Sequence, residues 1–159
     1  MHHALTLWEQ TAILGYVALA MLLGGVIGFE RQISDKPAGM RTHMLVAGAA
    51  ALLVALGNSL VLGFEKNLSG DAMRVDPLRI FEAVVTGVSF LGAGTIIRRG
   101  NEGHVEGLTT AASLLFTAAT GICVALSHFV LAGGVTLLAL ITLRALRRLE
   151  TWVDSRRSA

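Results

Sequence analysis

The chain has 159 residues, 53% of them hydrophobic and 15% charged, with a formal net charge of +2 and a mean hydropathy of +0.66. That balance is too apolar for a soluble domain of this size. No basic face interleaved with aromatics is present either, which argues against a nucleic-acid partner.

Thr11 to Phe29 carries no charged residue over 19 positions. A membrane-crossing helix needs about 20 such residues, so this is a first span. Ala18-Leu19-Ala20 has the look of a cleavage site. The first ten residues hold no Lys or Arg, however, and the apolar run continues, so the expectation is a retained helix. Tyr16, Ala20, Gly24 and Gly28 fall four residues apart, a small-residue face where a second backbone can come close.

The segment Glu30 to Arg41 is polar, and Pro37 disfavours helix just before it. A second span starts at Gly39 to Thr42 and runs without charge, counting His43 as neutral, to Phe64. Ala47, Ala51 and Ala55 repeat the small-residue device. A helix start offers free N–H groups and a partial positive charge. Arg31 and Arg41 stand beside this one, so Arg31, Gly39, Arg41 and Thr42 are candidates for binding phosphate or carboxylate. The plainer reading is that both arginines contact lipid head groups.

Asp76-Pro77 reads as a third helix start, with Asp capping and Pro in the first turn. Arg79 and Glu82 are three apart and can pair. Glu82, Thr86, Ser89 and Ala93 follow one face. Gly87, Gly92 and Gly94 thin this span and predict a local break near Gly92-Ala93-Gly94. A second inner segment holds Arg98, Arg99 and His104. Gly107 to Leu143 is then free of charge over 37 positions, enough for two spans with a turn near Ser127-His128. Thr109, Ser113 and Thr117 lie four apart on the fourth span and lead to Gly121. The lone Cys123 reads as a packing residue.

Gly24, Arg31, Gly39 and Thr42 recur as Gly92, Arg99, Gly107 and Thr110 when shifted by 68. The expectation is an all-α polytopic membrane protein with five transmembrane helices, built from two related hairpins plus a fifth helix. It divides into a membrane domain over 1–146 and a short basic tail over 147–159, read as an amphipathic helix at the inner surface. With the N-terminus outside, ten Lys and Arg lie inside and three outside, which places the C-terminus in the cytoplasm. The hairpins then run parallel, and their inner turns are expected to converge. Arg31, Arg41, Arg98 and Arg99 would meet the helix starts at Gly39–Thr42 and Gly107–Thr110 there. That concentration of positive charge needs compensation, from Glu30, Asp35, Glu102 or Glu106 internally or from an anion or lipid phosphate. The spans 3 and 4 are expected to pack polar stripe to polar stripe.

Enzyme signatures are weak. No metal-spaced His/Cys/Asp cluster stands out, Gly92-Ala93-Gly94 is not followed by a phosphate-loop Gly-Lys-Ser, and Ser89 lacks a nucleophile elbow. No metal site and no cofactor are expected.

Pro37-Ala38-Gly39-Met40-Arg41-Thr42-His43, Asp76-Pro77-Leu78-Arg79-Ile80, Val85 to Gly94 and Gly107-Leu108-Thr109-Thr110-Ala111-Ala112 resemble the motifs of the MgtC/SapB family, over about residues 15 to 130. The resemblance implies a bacterial inner-membrane protein without a known enzyme activity, and the expectation is that it is not an enzyme. It also implies a link to low-magnesium, acid or phosphate stress and to survival inside host cells, and hence to virulence. Family-typical residues in this chain are Asp76, Arg79, Thr86, Thr109 and Thr110, beside the turn residues already named. Ser89 stands where the family usually has Gly, and Leu115 where it often has Trp. Longer members carry a soluble ACT-like C-terminal domain, and the expectation here is a short form lacking it. The first functional reading is a regulator that binds another membrane protein, with self-association left open. The alternative is a small transporter or channel-like protein with a polar path between spans 3 and 4. A third, an enzyme acting on lipid head groups, rests on the arginines alone.

Overall fold

The computed structural model describes residues 5–67, 76, 78–99 and 104–157. It contains α1 (Leu7–Ile33), α2 (Met40–Asn67), α3 (Leu78–Thr95), a hairpin of β1 (Ile97–Arg99) and β2 (His104–Glu106), α4 (Leu108–Ala125) and α5 (Phe129–Arg157). α1, α2, α3 and α4 are long and apolar enough to cross a membrane, and α5 carries a shorter apolar stretch over Phe129–Ala145. The five helices expected from the charge-free runs are therefore the five observed.

Local chemistry sets the ends. Thr6 and Glu9 form a reciprocal capping box at the start of α1. Asp76 caps α3 by accepting the Leu78 N–H at 2.9 Å; Pro77 lies outside the described residues. α1 ends in a Schellman turn. Lys36 N–H returns to Arg31 O and Asp35 N–H to Gln32 O, with Asp35 left-handed at φ 51. α4 ends the same way, through His128 N–H to Cys123 O and Ser127 N–H to Val124 O, with Ser127 at φ 61. That is the predicted turn at Ser127-His128. There the Ser127 hydroxyl donates to Tyr16 Oη on α1, and Phe129 sits with its ring centroid 6.0 Å from that of Tyr16.

Helices α1, α2 and α4 form the centre, each packed on the other two; α3 rests on α4 and the edge of α2, and α5 covers α4 and α1. The buried core is small: Ala20, Ala47, Ala51, Val54, Val124 and Ala132 in one cluster, and Ala50, Val84, Val88, Leu114 and Ala118 in another. Between membrane helices there is little hydrophobic driving force, so close backbone approach and dispersion hold them. A Cβ on Gly24 would come within 2.7 Å of Ala47 Cβ and 2.6 Å of His43 O. One on Gly121 would collide with the Ala47 carbonyl. The repeat is visible here too. Gly24 approaches His43, and Gly92 approaches Ala111, and both members of the second pair lie 68 positions beyond those of the first.

Three expectations are corrected. The second inner segment is a short antiparallel hairpin pairing Ile97 with Glu106 and Arg99 with His104. α3 does not break at Gly92-Ala93-Gly94: Gly92 is buried against Ala111, and the Thr95 hydroxyl closes on Gly92 O at 2.7 Å. The α3–α4 seam is not polar: α3 turns Val84, Val88 and Gly92 inward and leaves Glu82, Thr86 and Ser89 exposed. An apolar ridge against Ala111, Leu114 and Ala118 fits without burying a carboxylate, so it wins the seam. The tail continues the last helix, as its sequence suggests: α5 runs unbroken past residue 146 to Arg157.

Candidate functional site

The buried polar groups gather where the end of α1 meets the starts of α2 and α4. Glu30 and Arg31 are each 4% exposed, His43 and Thr110 are fully enclosed, and Ser113 and Thr117 lie beneath them. Helix periodicity explains the gathering. Thr110, Ser113, Thr117 and Gly121 follow steps of three and four and share the inward face of α4. Ala20, Gly24 and Gly28 leave room opposite, on α1.

Arg31 Nη2 donates to Thr110 Oγ1 at 3.0 Å, joining the first hairpin to the second across 79 residues. His43 makes a second junction. Its Nδ1 lies 2.9 Å from Gly39 O, which can only accept, so Nδ1 carries the proton. Its Nε2 lies 3.1 Å from Ser113 Oγ. The Ser113 hydroxyl also reaches Thr110 O at 2.8 Å, so its proton is shared between the helix carbonyl and the imidazole. Glu30 Oε1 accepts from Ser34 Oγ at 3.0 Å. Glu30 Oε2 and Arg31 Nε are enclosed without a hydrogen-bond partner. Each is the kind of group whose burial is expensive, and the adjacent opposite charges offset one another.

The end of α1 and the starts of α2 and α4 thus meet, as the 68-residue shift predicts, but through a subset of the expected residues. Arg31, Gly39 and Thr110 come together. Gly107 stands at the start of α4 with φ +94, pressed against the Thr95 carbonyl, where any side chain would collide. Arg41, Thr42 and Thr109 are exposed and face away from the cluster. Asp76 is a cap, and Arg79 and Thr86 are exposed on α3. The side chains of Arg98 and Arg99 lie outside the described residues. His43 is the member that the sequence does not assign; the sequence places Ser113 in the α4 stripe and offers Glu30 as an internal counter-charge, neither as a contact of this junction. Of the α4 stripe, Ser113 and Thr117 do face inward; Thr109 lies at its edge and is exposed, and Thr110, three residues before Ser113, takes the inward place.

The His43–Ser113 contact has the spacing of a base and a nucleophile. Its surroundings are those of a packing contact. Ser113 lies inside a helix face covered by α1 and α2, and the Thr110 carbonyl at 2.8 Å competes with the imidazole for its proton.

The fold and this cluster define a small polytopic membrane protein of helical hairpins, tied together on one side by polar contacts. The chain belongs to the MgtC family, whose profile matches residues 17–152. It is 44% identical over 106 residues to the Escherichia coli K12 protein named "Putative magnesium transporter YhiD", covering 67% of this chain and 47% of that protein. Protein MgtC of Brucella abortus is 44% identical over 106 residues, covering 67% of this chain and 39% of its own length. Protein SrpB of Synechococcus elongatus is 37% identical over 139 residues, covering 83% and 73%. The chain therefore spans less than half the length of the first two of these relatives. No solved structure matches.

Proposed function

We propose that this protein is a non-enzymatic regulator in the bacterial inner membrane that binds another integral membrane protein during adaptation to low magnesium, acid or phosphate stress. One observation carries the reading: α3 turns a polar stripe away from its own bundle. Only 17% of the α3 span is buried, against 50% for α4. Glu82, Thr86 and Ser89 all lie on the outward side. Lipid tails offer no hydrogen bonds, so polar side chains on a membrane helix favour a protein neighbour. Gly87 and Gly94 have open space around them, which lets a second helix come close.

The transporter alternative placed its polar path between α3 and α4. That seam is apolar, so the path has no support there, and the magnesium in the YhiD name belongs to that protein. A cytoplasmic C-terminus follows from the Lys and Arg distribution and is part of the proposal. A photo-crosslinking residue at Thr86 in living cells tests the binding reading. The expected result is a protein adduct from position 86 and none from buried Val84. Lipid adducts alone from every outward position of α3 would overturn it.

A further inference from the structure

We propose that α3 pairs with α3 of a second copy of this chain, parallel and across a two-fold axis along the membrane normal. The inference rests on the reading above that the outward face of α3 is a protein-contact face, and it assigns that face an occupant of its own, distinct from the regulated protein. Its seam is Arg79, Glu82, Thr86, Ser89 and Ala93.

The spacing of these five positions is three-four-three-four, the a/d rhythm of a left-handed helix pair. At 100° per residue they fall within an arc of about 80°. That arc is centred roughly 140° from the face of Val84, Val88 and Gly92 that packs on α4, by the same periodicity. All five are exposed in the single chain. Ser89 and Ala93 make a small-xxx-small step, so two backbones can approach there.

The charges select the occupant. Arg79 and Glu82 have no ion-pair partner among the described residues. In a parallel two-fold pair Arg79 faces Arg79 and Glu82 faces Glu82. Each Arg79 stands one layer from Glu82 of the other copy, a rise of about 4.5 Å that a guanidinium spans easily, so the like charges of one layer are offset by those of the next. The symmetry then makes two such pairs, so the surface is complementary to itself. One turn deeper, the Thr86 and Ser89 hydroxyls make no hydrogen bond within the chain among the described residues. Ser59, Thr95, Thr117, Thr120 and Thr136 instead bond back to their own helix carbonyls. Across the two-fold axis Thr86 and Ser89 meet their own counterparts, each able to donate and to accept. An antiparallel pair would set Arg79 against Ala93, and two copies inserted with the same topology cannot form it.

The test uses the purified full chain in lipid vesicles, with Cys123→Ser to remove the native thiol. Single cysteines are placed at Ser89 and Ala93 on the seam and at Val85 and Leu91, exposed but off it. The expected result is covalent dimer from Ser89→Cys and Ala93→Cys at several-fold the yield from Val85→Cys and Leu91→Cys, persisting as protein is diluted into excess lipid. In the Ser89→Cys background, Glu82→Arg lowers the yield several-fold, and Arg79→Glu added to it restores the yield. Equal yields at all four sites, or no rescue by the charge swap, overturns the pairing. Monomer at every dilution also overturns it. If Thr86 then still captures a different membrane protein in cells, the regulatory reading survives; if Thr86 captures only lipid, both fail.

Discussion

Replacing Thr110 by Val removes one oxygen and almost no volume, yet it strikes the contact that joins the two hairpins. Thr110 Oγ1 is the acceptor for Arg31 Nη2 at 3.0 Å, in a residue that is 1% exposed. A hydrogen bond to a charged group contributes about 1.5–3 kcal/mol, and a buried donor left without an acceptor costs its full desolvation. Arg31 Nε already lacks a partner, so the guanidinium has little to fall back on. The expected loss is about 2 kcal/mol. Thr117→Val is the control. That hydroxyl is fully buried as well, but it bonds only to Ser113 O within its own helix. Its loss should cost no more than about 0.6 kcal/mol, the average for a polar side-chain bond in a membrane helix bundle. Unfolding of both variants in mixed detergent micelles, titrated with denaturing detergent, gives the comparison. A double-mutant cycle with Arg31→Met completes it: once the guanidinium is gone, Thr110→Val should cost almost nothing more. Equal destabilisation by Thr110→Val and Thr117→Val, or strict additivity in the cycle, would refute the assignment of the Arg31–Thr110 bond as the junction.

Gly121→Val should destabilise the fold by about 1–3 kcal/mol or prevent α4 from docking on α2, because the new side chain meets the Ala47 carbonyl, which cannot rotate away; the same change at Gly133, which has open space, should be nearly silent in the same titration. Arg41→Ala should leave the unfolding midpoint unchanged, since Arg41 is exposed and outside the cluster, whereas Arg31→Lys should lower it, because an ammonium lacks the planar fork that reaches Thr110. Asp76→Ala removes the acceptor for the Leu78 N–H and should cost about 1 kcal/mol, read as faster amide exchange in the first turn of α3.

The helices were legible because a membrane imposes a length on them, and the charge-free runs ending at Phe29 and Phe64 report it directly. The small-residue faces were legible for a similar reason: Gly24 and Ala47 have no other way to meet. The 68-residue shift reached further than its four matches, since it also relates the Gly24–His43 approach to the Gly92–Ala111 approach. What failed turned on choices that one sequence leaves balanced. A helix with three glycines can break or can be held by its neighbour, and Gly92 is held by Ala111. A polar stripe can face inward or outward, and on α3 the apolar ridge of Val84 and Val88 took the inward side. On α4, Thr109 and Thr110 lie about 100° apart with Ser113 between them, about 40° from the one and 60° from the other, so the spacing admits either. His43 passed as a neutral member of an apolar run, because its partner Ser113 lies 70 residues away.

The claim that this protein acts by contact and not by conduction is tested most directly by magnesium uptake into sealed vesicles holding the pure chain alone. The account predicts uptake equal to that of protein-free vesicles across an imposed magnesium gradient, with and without a membrane potential. Saturable uptake that scales with the amount of protein, and that falls on Thr86→Val or Ser89→Val, would contradict it.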